Sequence, residues 1–232
     1  MPRPKKNLYG QEMGNKGIST RARIVAAMAD LMQRRQLRDL RVAEIVQLAA
    51  VSTATFYLYF ASVAEAGLAA VDDVQQATPE LLAILESEWT TENVFAKSEA
   101  FVQAHLAVWD AHHALLRMRN FVADEGDKRF YDSRRRAVEP IHLALQSKVE
   151  QMQACLPPAE RLDPASTAST LLAMLERVAA LVRLPSAHNA TRPRQIETAA
   201  FLVASAVMGG VPHRPRTKAA RPPRAPAALC PT

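Results

Sequence analysis

Apolar positions recur at intervals of three and four residues along most of the chain, and no stretch alternates long enough to suggest a sheet. The pattern predicts an all-α protein. Ile24, Ala27, Met28, Leu31 and Met32 form one helical stripe, with Arg21, Arg23, Arg34 and Arg35 mostly outside it, and Ser19 is a suitable N-cap. A short second helix turns Val42, Ile45, Val46 and Ala49 inward, and a third runs from about Thr53 to Phe60 after a tight turn at Ala50, Val51 and Ser52. A connecting helix is expected over about 62–75, and Thr78-Pro79 starts a short one, since proline's missing amide costs nothing at the first helical position. Thr91 opens another through Phe95, Phe101, Val102, His105 and Trp109, and Leu115 to Val122 forms a separate short apolar piece. A long helix over 127–154 is expected to kink at Pro140. Asp163-Pro164 begins the next, to about Leu184, and the last spans about Pro193 to Met208, ended by Gly209-Gly210.

Composition adds to this picture. The chain has 232 residues, 49% of them hydrophobic, which is room for one or two domains with a sizeable core. No run reaches the roughly eighteen apolar residues that span a bilayer. Met1 to Lys6 is basic and proline-broken with no apolar stretch behind it, unlike a secretory signal. Two cysteines, Cys155 and Cys230, cannot build a framework, so a reduced, cytoplasmic protein without a zinc cluster or membrane association is expected. Charge is unevenly spread. Residues 1–41 carry ten Lys/Arg against three Asp/Glu, residues 42–211 fourteen against twenty, and residues 212–232 five against none. Basic ends around an acidic middle suggest a polyanionic partner. Four units follow: a flexible basic arm at 1–18, a three-helix unit at 19–62, a larger helical domain at 63–211, and a Pro/Arg-rich tail at 212–232 expected to be disordered.

Three helices within residues 19–60, the second and third joined by a short turn, have helix-turn-helix spacing. Ile45 and Val46 can pack on Val51, Phe56 and Phe60, which leaves Thr53, Ala54, Thr55, Tyr57, Leu58 and Tyr59 on more exposed surfaces. Hydroxyls on a short helix suit phosphates and base edges, and Ser52 at its start leaves the helix's positive end free for a phosphate. The stretch from Thr20 to Val74 resembles the DNA-binding domain of TetR-type transcriptional regulators. Arg21, Arg23, Ile24, Ala27, Ala29 and Leu31 match in the first helix, and Glu44, Ile45 and Val46 in the second. The most specific part is the run Val51-Ser52-x-x-Thr55-Phe56-Tyr57-x-x-Phe60, with Tyr59, Ser62, Glu65 and Leu68 also in place.

The resemblance implies a homodimer, formed through the last two helices, that lays two recognition helices into successive major grooves of double-stranded DNA. By position, Thr55, Tyr57 and Tyr59 would touch phosphates, Thr53 and Ala54 would face bases, and Ser52 would sit at the helix start. Tyr57 is also placed to press on a thymine methyl. The sequence departs from the family at several points. Gln36 or Leu37 stands where a glycine is usual, Ala49-Ala50 replaces alanine-glycine, and Val63 replaces a phosphate-binding lysine. Arg41 stands at the usual threonine cap of the second helix, unfavourable for the dipole but well placed for a phosphate, with Asp39 as an alternative cap. The basic arm (Arg3, Lys5, Lys6, Lys16) could supply compensating charge in the minor groove.

The family also implies an effector pocket in the larger domain. Candidate lining residues are Phe101, His105, Trp109, His112, Met118, Phe121, Met152 and Met174, with His105, Trp109 and His112 spaced to share one helix face. A small apolar or aromatic effector is expected. Ordinary core with satisfied histidines is the competing reading. A metal site at His105, Asp110, His112 and His113 lacks convincing spacing. Arg134-Arg135-Arg136 reads as a solvated face or an anion site. The last helix is apolar on nearly all sides, which suits burial against both the core and a second subunit. No catalytic motif, phosphate loop or cofactor fingerprint is present. The expected function is a ligand-responsive repressor released from a palindromic operator. The alternatives are a DNA-binding dimer with no effector and an all-α protein that handles lipids or small molecules.

Overall fold

The computed structural model describes residues 6–74, 79–181 and 191–211. Among the described residues the regular structure is helical, with a single isolated bridge between Lys6 and Glu12. Four helices make the amino-terminal part: α1 (Asn15–Arg34), α2 (Val42–Ala49), α3 (Thr53–Tyr59) and α4 (Val63–Val74). A larger bundle follows: α5 (Pro79–Glu86), α6 (Val94–Asp124), α7 (Lys128–Met152), α8 (Pro164–Leu181) and α9 (Arg192–Met208). None of the described helices is by itself long and apolar enough to cross a membrane.

The helix ends follow from local chemistry. The Asp127 carboxylate accepts the Arg129 amide at 3.0 Å, and that of Asp163 accepts the Ser166 amide at 2.8 Å, so each satisfies an orphan donor of a first turn. The chain leaves α9 through Gly209 at φ 72°, where a side chain would be strained and a Cβ would lie 2.6 Å from Leu156 Cδ1. α6 runs through the bundle and packs on α5, α7, α8 and α9. It also meets α1 and α4, and one continuous apolar core runs from Ile24 and Met28 through Phe101 and Leu145 to Val207. α4 reaches α1 closely because Gly67 lacks a side chain; a Cβ there would lie 3.0 Å from Leu37 and 3.3 Å from Met28.

Several expected boundaries change. α1 begins at Asn15, so Ser19 lies inside the helix rather than at its cap. Residues 6–12 are not a free arm. The Asn7 side chain accepts the amides of Tyr9 and Gln11, each at 3.0 Å, and the turn it closes donates the Leu8 amide to the Leu58 carbonyl at 3.0 Å. That carbonyl belongs to the last turn of α3, where no helical donor remains. The pieces expected at Thr91 and at 115–122 are one helix, α6, with a break at His112 (φ −130°, ψ 23°). Asn93 rather than Thr91 precedes it, and the Asn93 side chain accepts the Thr90 amide at 2.8 Å. α7 carries Pro140 in its interior. Thr78, residues 182–184, residues 1–5 and the tail from 212 onward lie outside the described residues.

Candidate nucleic-acid interface

α2 and α3 cross at 98°, the geometry of a helix-turn-helix. The turn is held by the Val51 amide donating to the Val46 carbonyl at 3.0 Å, and it passes through Ala50 in the left-handed region (φ 51°). Glycine would be the low-cost residue there, so packing must hold the alanine in place. Phe56 and Phe60 supply that packing. Both are fully buried, with ring centroids 5.8 Å apart, and each is worth about 2–3 kcal/mol in burial. Arg21, matched in the first helix, lies 5.0 Å from the Phe60 ring centroid and braces this core from outside.

With one side of α3 anchored, the other faces out. Thr53 and Ala54 are exposed, Tyr57 is 44% exposed, and its ring stands edge-on to Phe56 at 5.4 Å. Ser52 Oγ accepts the Thr55 amide at 3.0 Å and lies 2.8 Å from the Thr55 hydroxyl, so the cap and the half-buried Thr55 are set as a pair. Tyr59 is half-buried against α1; a Cβ on Gly17 would lie 3.4 Å from its hydroxyl.

Arg41 opens α2 and is exposed. Arginine has no acceptor, so it cannot cap; instead the Glu44 carboxylate accepts the Arg41 amide at 3.0 Å. Asp39 therefore does not cap α2, and lies in the short turn at Leu37–Asp39. Arg35 bonds both Glu44 and the Asp39 carbonyl, tying that turn to α2. The backbone bond from Arg41, followed by the hydrogen bond and charge of Arg35, holds the Glu44 carboxyl below its usual range. The signal for this role was the Glu three residues beyond the cap position.

In the bundle, Phe101, His105 and Trp109 are buried on one stretch of α6. The break at His112 interrupts the face they were expected to share with that residue, which is half-buried. Met152 and Met174 are half-buried on α7 and α8, against the core. Met118 and Phe121 instead line an open cleft between α1 and the second half of α6. Asp110 receives Arg192 of α9 at 3.2 Å, and no described group of three or more His, Cys, Asp or Glu could hold a metal.

Charged groups sit deeper than the sequence suggested. Arg119 of α6 is buried and reaches Glu176 of α8 at 3.5 Å. Arg134 of α7 pairs with the same carboxylate and with Asp124 at 3.4 Å, so it does not belong to a solvated face. Next to it Ser133 donates to Asp72 of α4 at 2.7 Å. Burial lowers the Arg119 pKa to about 10, which leaves it charged at neutral pH. His105 Nε2 is buried without a hydrogen-bond partner. Burial first, and the Arg119 charge second, push its pKa down to about 4 from 6.5.

Between those two values the unfolded chain binds a proton that the native state refuses. Native stability therefore falls as pH drops from about 6.5 towards 4, and this group has no effect above that window. In melts at descending pH, His105→Phe should lose less stability than the wild-type chain below about pH 6. A pH-independent difference would contradict this placement of His105.

A head with an outward recognition helix, joined to an all-helical bundle, defines a helix-turn-helix regulator. Residues 80–214 match the sequence signature described as "Tetracyclin repressor-like, C-terminal domain". The chain therefore belongs to the TetR family of transcriptional regulators, which bind DNA as dimers and are not enzymes. No curated protein matches it. Among solved structures it is similar to the fatty acid degradation regulator FadR from Bacillus halodurans, with a TM-score of 0.61, 15% identity, and coverage of 88% of this chain and 100% of that one. A TetR-family regulator from Streptomyces coelicolor gives 0.58 and 18%, covering 84% and 82%. A transcriptional regulator from Aquifex aeolicus gives 0.52 and 17%, covering 78% and 95%. At these identities the likeness establishes the fold.

Proposed function

We propose that the chain is a ligand-responsive repressor, released from a palindromic operator when a small apolar or aromatic effector enters the bundle. Residues 19–62 act as the DNA-binding head and residues 63–211 as the effector and dimerisation domain. Thr53 and Ala54 face bases. Ser52, Thr55, Tyr57, Tyr59 and Arg41 contact phosphates or sugars, and the amino-terminal end of α3 draws a phosphate. Dimerisation runs through α8 and α9, a reading supported by the large exposed side chains Leu181 and Leu202. It sets the two copies of α3 about 34–36 Å apart, one turn of duplex. The setting of a regulator inside a cell accords with a reduced, cytoplasmic protein.

The observation that carries the effector reading is His105 Nε2, buried and unsatisfied beside Phe101 and Trp109. An unpaired buried polar atom is costly, and a ligand with one hydrogen-bonding group would relieve it. Asp72 connects this region to the head, since α4 carries it from the head into contact with Ser133. A ligand preferring a different setting of α4 would shift the dimer population away from the DNA-binding form.

The test is a thermal-shift screen of small aromatic and apolar compounds, followed by operator binding. A compound that raises the melting temperature is expected to weaken operator binding by about tenfold or more, and to lose this effect in Trp109→Ala. If stabilising compounds leave operator affinity unchanged, the domain dimerises without sensing an effector.

A further inference from the structure

The cleft between head and bundle has a composition that neither DNA binding nor the buried centre at His105 explains. It is open, encloses about 810 Å³, and lies where the end of α1, the turn after it and the start of α4 face the second half of α6. That volume falls within the range of about 300–1,000 Å³ typical of small-molecule sites. Its apolar lining includes the buried Met32 and Leu40, the half-buried Leu37 and Met118, and Phe121, which is 51% exposed although it is a large aromatic ring. Its charged part is basic: Arg34, Arg35 and Arg38 on the head side and Arg117 on α6, against Glu125.

The four arginines are not equivalent. Arg34 is paired with Asp30 at 3.2 Å, and Arg35 with Glu44. Arg38 and Arg117 make no hydrogen bond or ion pair among the described residues. His113, also on the cleft, is engaged by the Ala180 carbonyl at 3.3 Å. Two guanidinium groups with no partner among the described residues, Arg38 from the head and Arg117 from the bundle, therefore line one cleft together with the exposed Phe121 and the half-buried Met118. Guanidinium forks match carboxylate, sulfonate and phosphate oxygens, and such bonds are stronger than neutral ones. Apolar surface beside them needs an apolar body to cover it.

We propose that this cleft binds a small amphiphilic anion, its acidic group between Arg38 and Arg117 and its apolar body over Met118 and Phe121. Arg38 belongs to the DNA-binding head and Arg117 to the bundle, so one bound anion bridges the two and fixes their relative setting. The site is separate from the buried centre at His105 and stands whether or not that centre takes an effector.

Two fluorescent probes with the same rings isolate the anion's contribution: 1-anilinonaphthalene-8-sulfonate, and N-phenyl-1-naphthylamine, which lacks the sulfonate. The full-length dimer is expected to bind the sulfonate at one probe per chain, about tenfold or more tighter than the neutral amine. Arg38→Gln/Arg117→Gln should remove that advantage and leave the amine's affinity within about twofold, whereas Phe121→Ala should weaken both probes. Circular dichroism melts confirm that these exposed-site variants fold. Absence of saturable sulfonate binding, equal binding of the two probes, or sulfonate affinity unchanged in the double variant would overturn the proposal.

Discussion

Replacing Thr55 and Tyr57 together by alanine is expected to weaken specific duplex binding by about a hundredfold, with little change in melting temperature. The two side chains contribute little to the fold. Tyr57 is 44% exposed, and the hydroxyl of the half-buried Thr55 bonds the exposed Ser52. Phe56, between them in sequence, does the structural work, fully buried. Phe56→Ala should therefore unfold the head, and the contrast between neighbours separates an interface from a core. Contacts to phosphate also carry salt dependence, so the double variant's affinity should fall less steeply with added salt than that of the wild-type chain. Fluorescence anisotropy on an operator fragment at several salt concentrations measures both effects. Equal affinity of variant and wild type would place the interface elsewhere.

The second large effect concerns the buried charges. Glu176→Gln should destabilise the bundle by about 3–5 kcal/mol, which for a domain of this size is a fall of roughly 10 °C in melting temperature. The substitution is nearly isosteric, but it leaves the buried Arg119 facing an uncharged amide and removes one of Arg134's two carboxylates. Removing one partner of a buried pair costs more than removing both. Arg119→Met/Glu176→Met should accordingly melt above Glu176→Gln alone. A loss below about 1 kcal/mol in Glu176→Gln would mean that water reaches the pair and screens it.

These two results differ in how far the sequence anticipated them. The recognition helix was legible because its cause is local. A serine cap, a threonine three residues on, and aromatics at positions 56 and 60 fix both the helix and its buried side within ten residues. The all-α architecture, the starts of α5, α8 and α9 and the end of α9 at Gly209 were legible for the same reason, since proline and aspartate act on a helix's first turn and glycine on its last. Arg119 and Glu176 were not. Each lies in an ordinary run of charged and apolar residues, and only the packing of α6, α7 and α8 shows that they face inward together. In the sequence the break at His112 looks like the gap between two helices, because a non-helical residue and a loop leave similar traces in periodicity. Glu44 was matched by family position, but its role as the cap of α2 needed the observation that Arg41 cannot accept a hydrogen bond. The candidate pocket was the least legible part. Spacing placed His105, Trp109 and His112 on one face, which the break at His112 interrupts, and it could not show that Met118 and Phe121, roughly two turns beyond the break, line the cleft facing the head.

The account rests on α3 presenting its outer face, in two copies, to duplex DNA. The most direct measurement is selection by the purified full-length chain among fragments of its own genome, run in parallel with the Thr55→Ala/Tyr57→Ala variant. The expected result is a shared inverted repeat whose two halves lie about one helical turn apart, bound by two chains, and no enrichment of that repeat by the variant. Recovery of fragments without a common repeat, or the same repeat enriched equally by the variant, would contradict it.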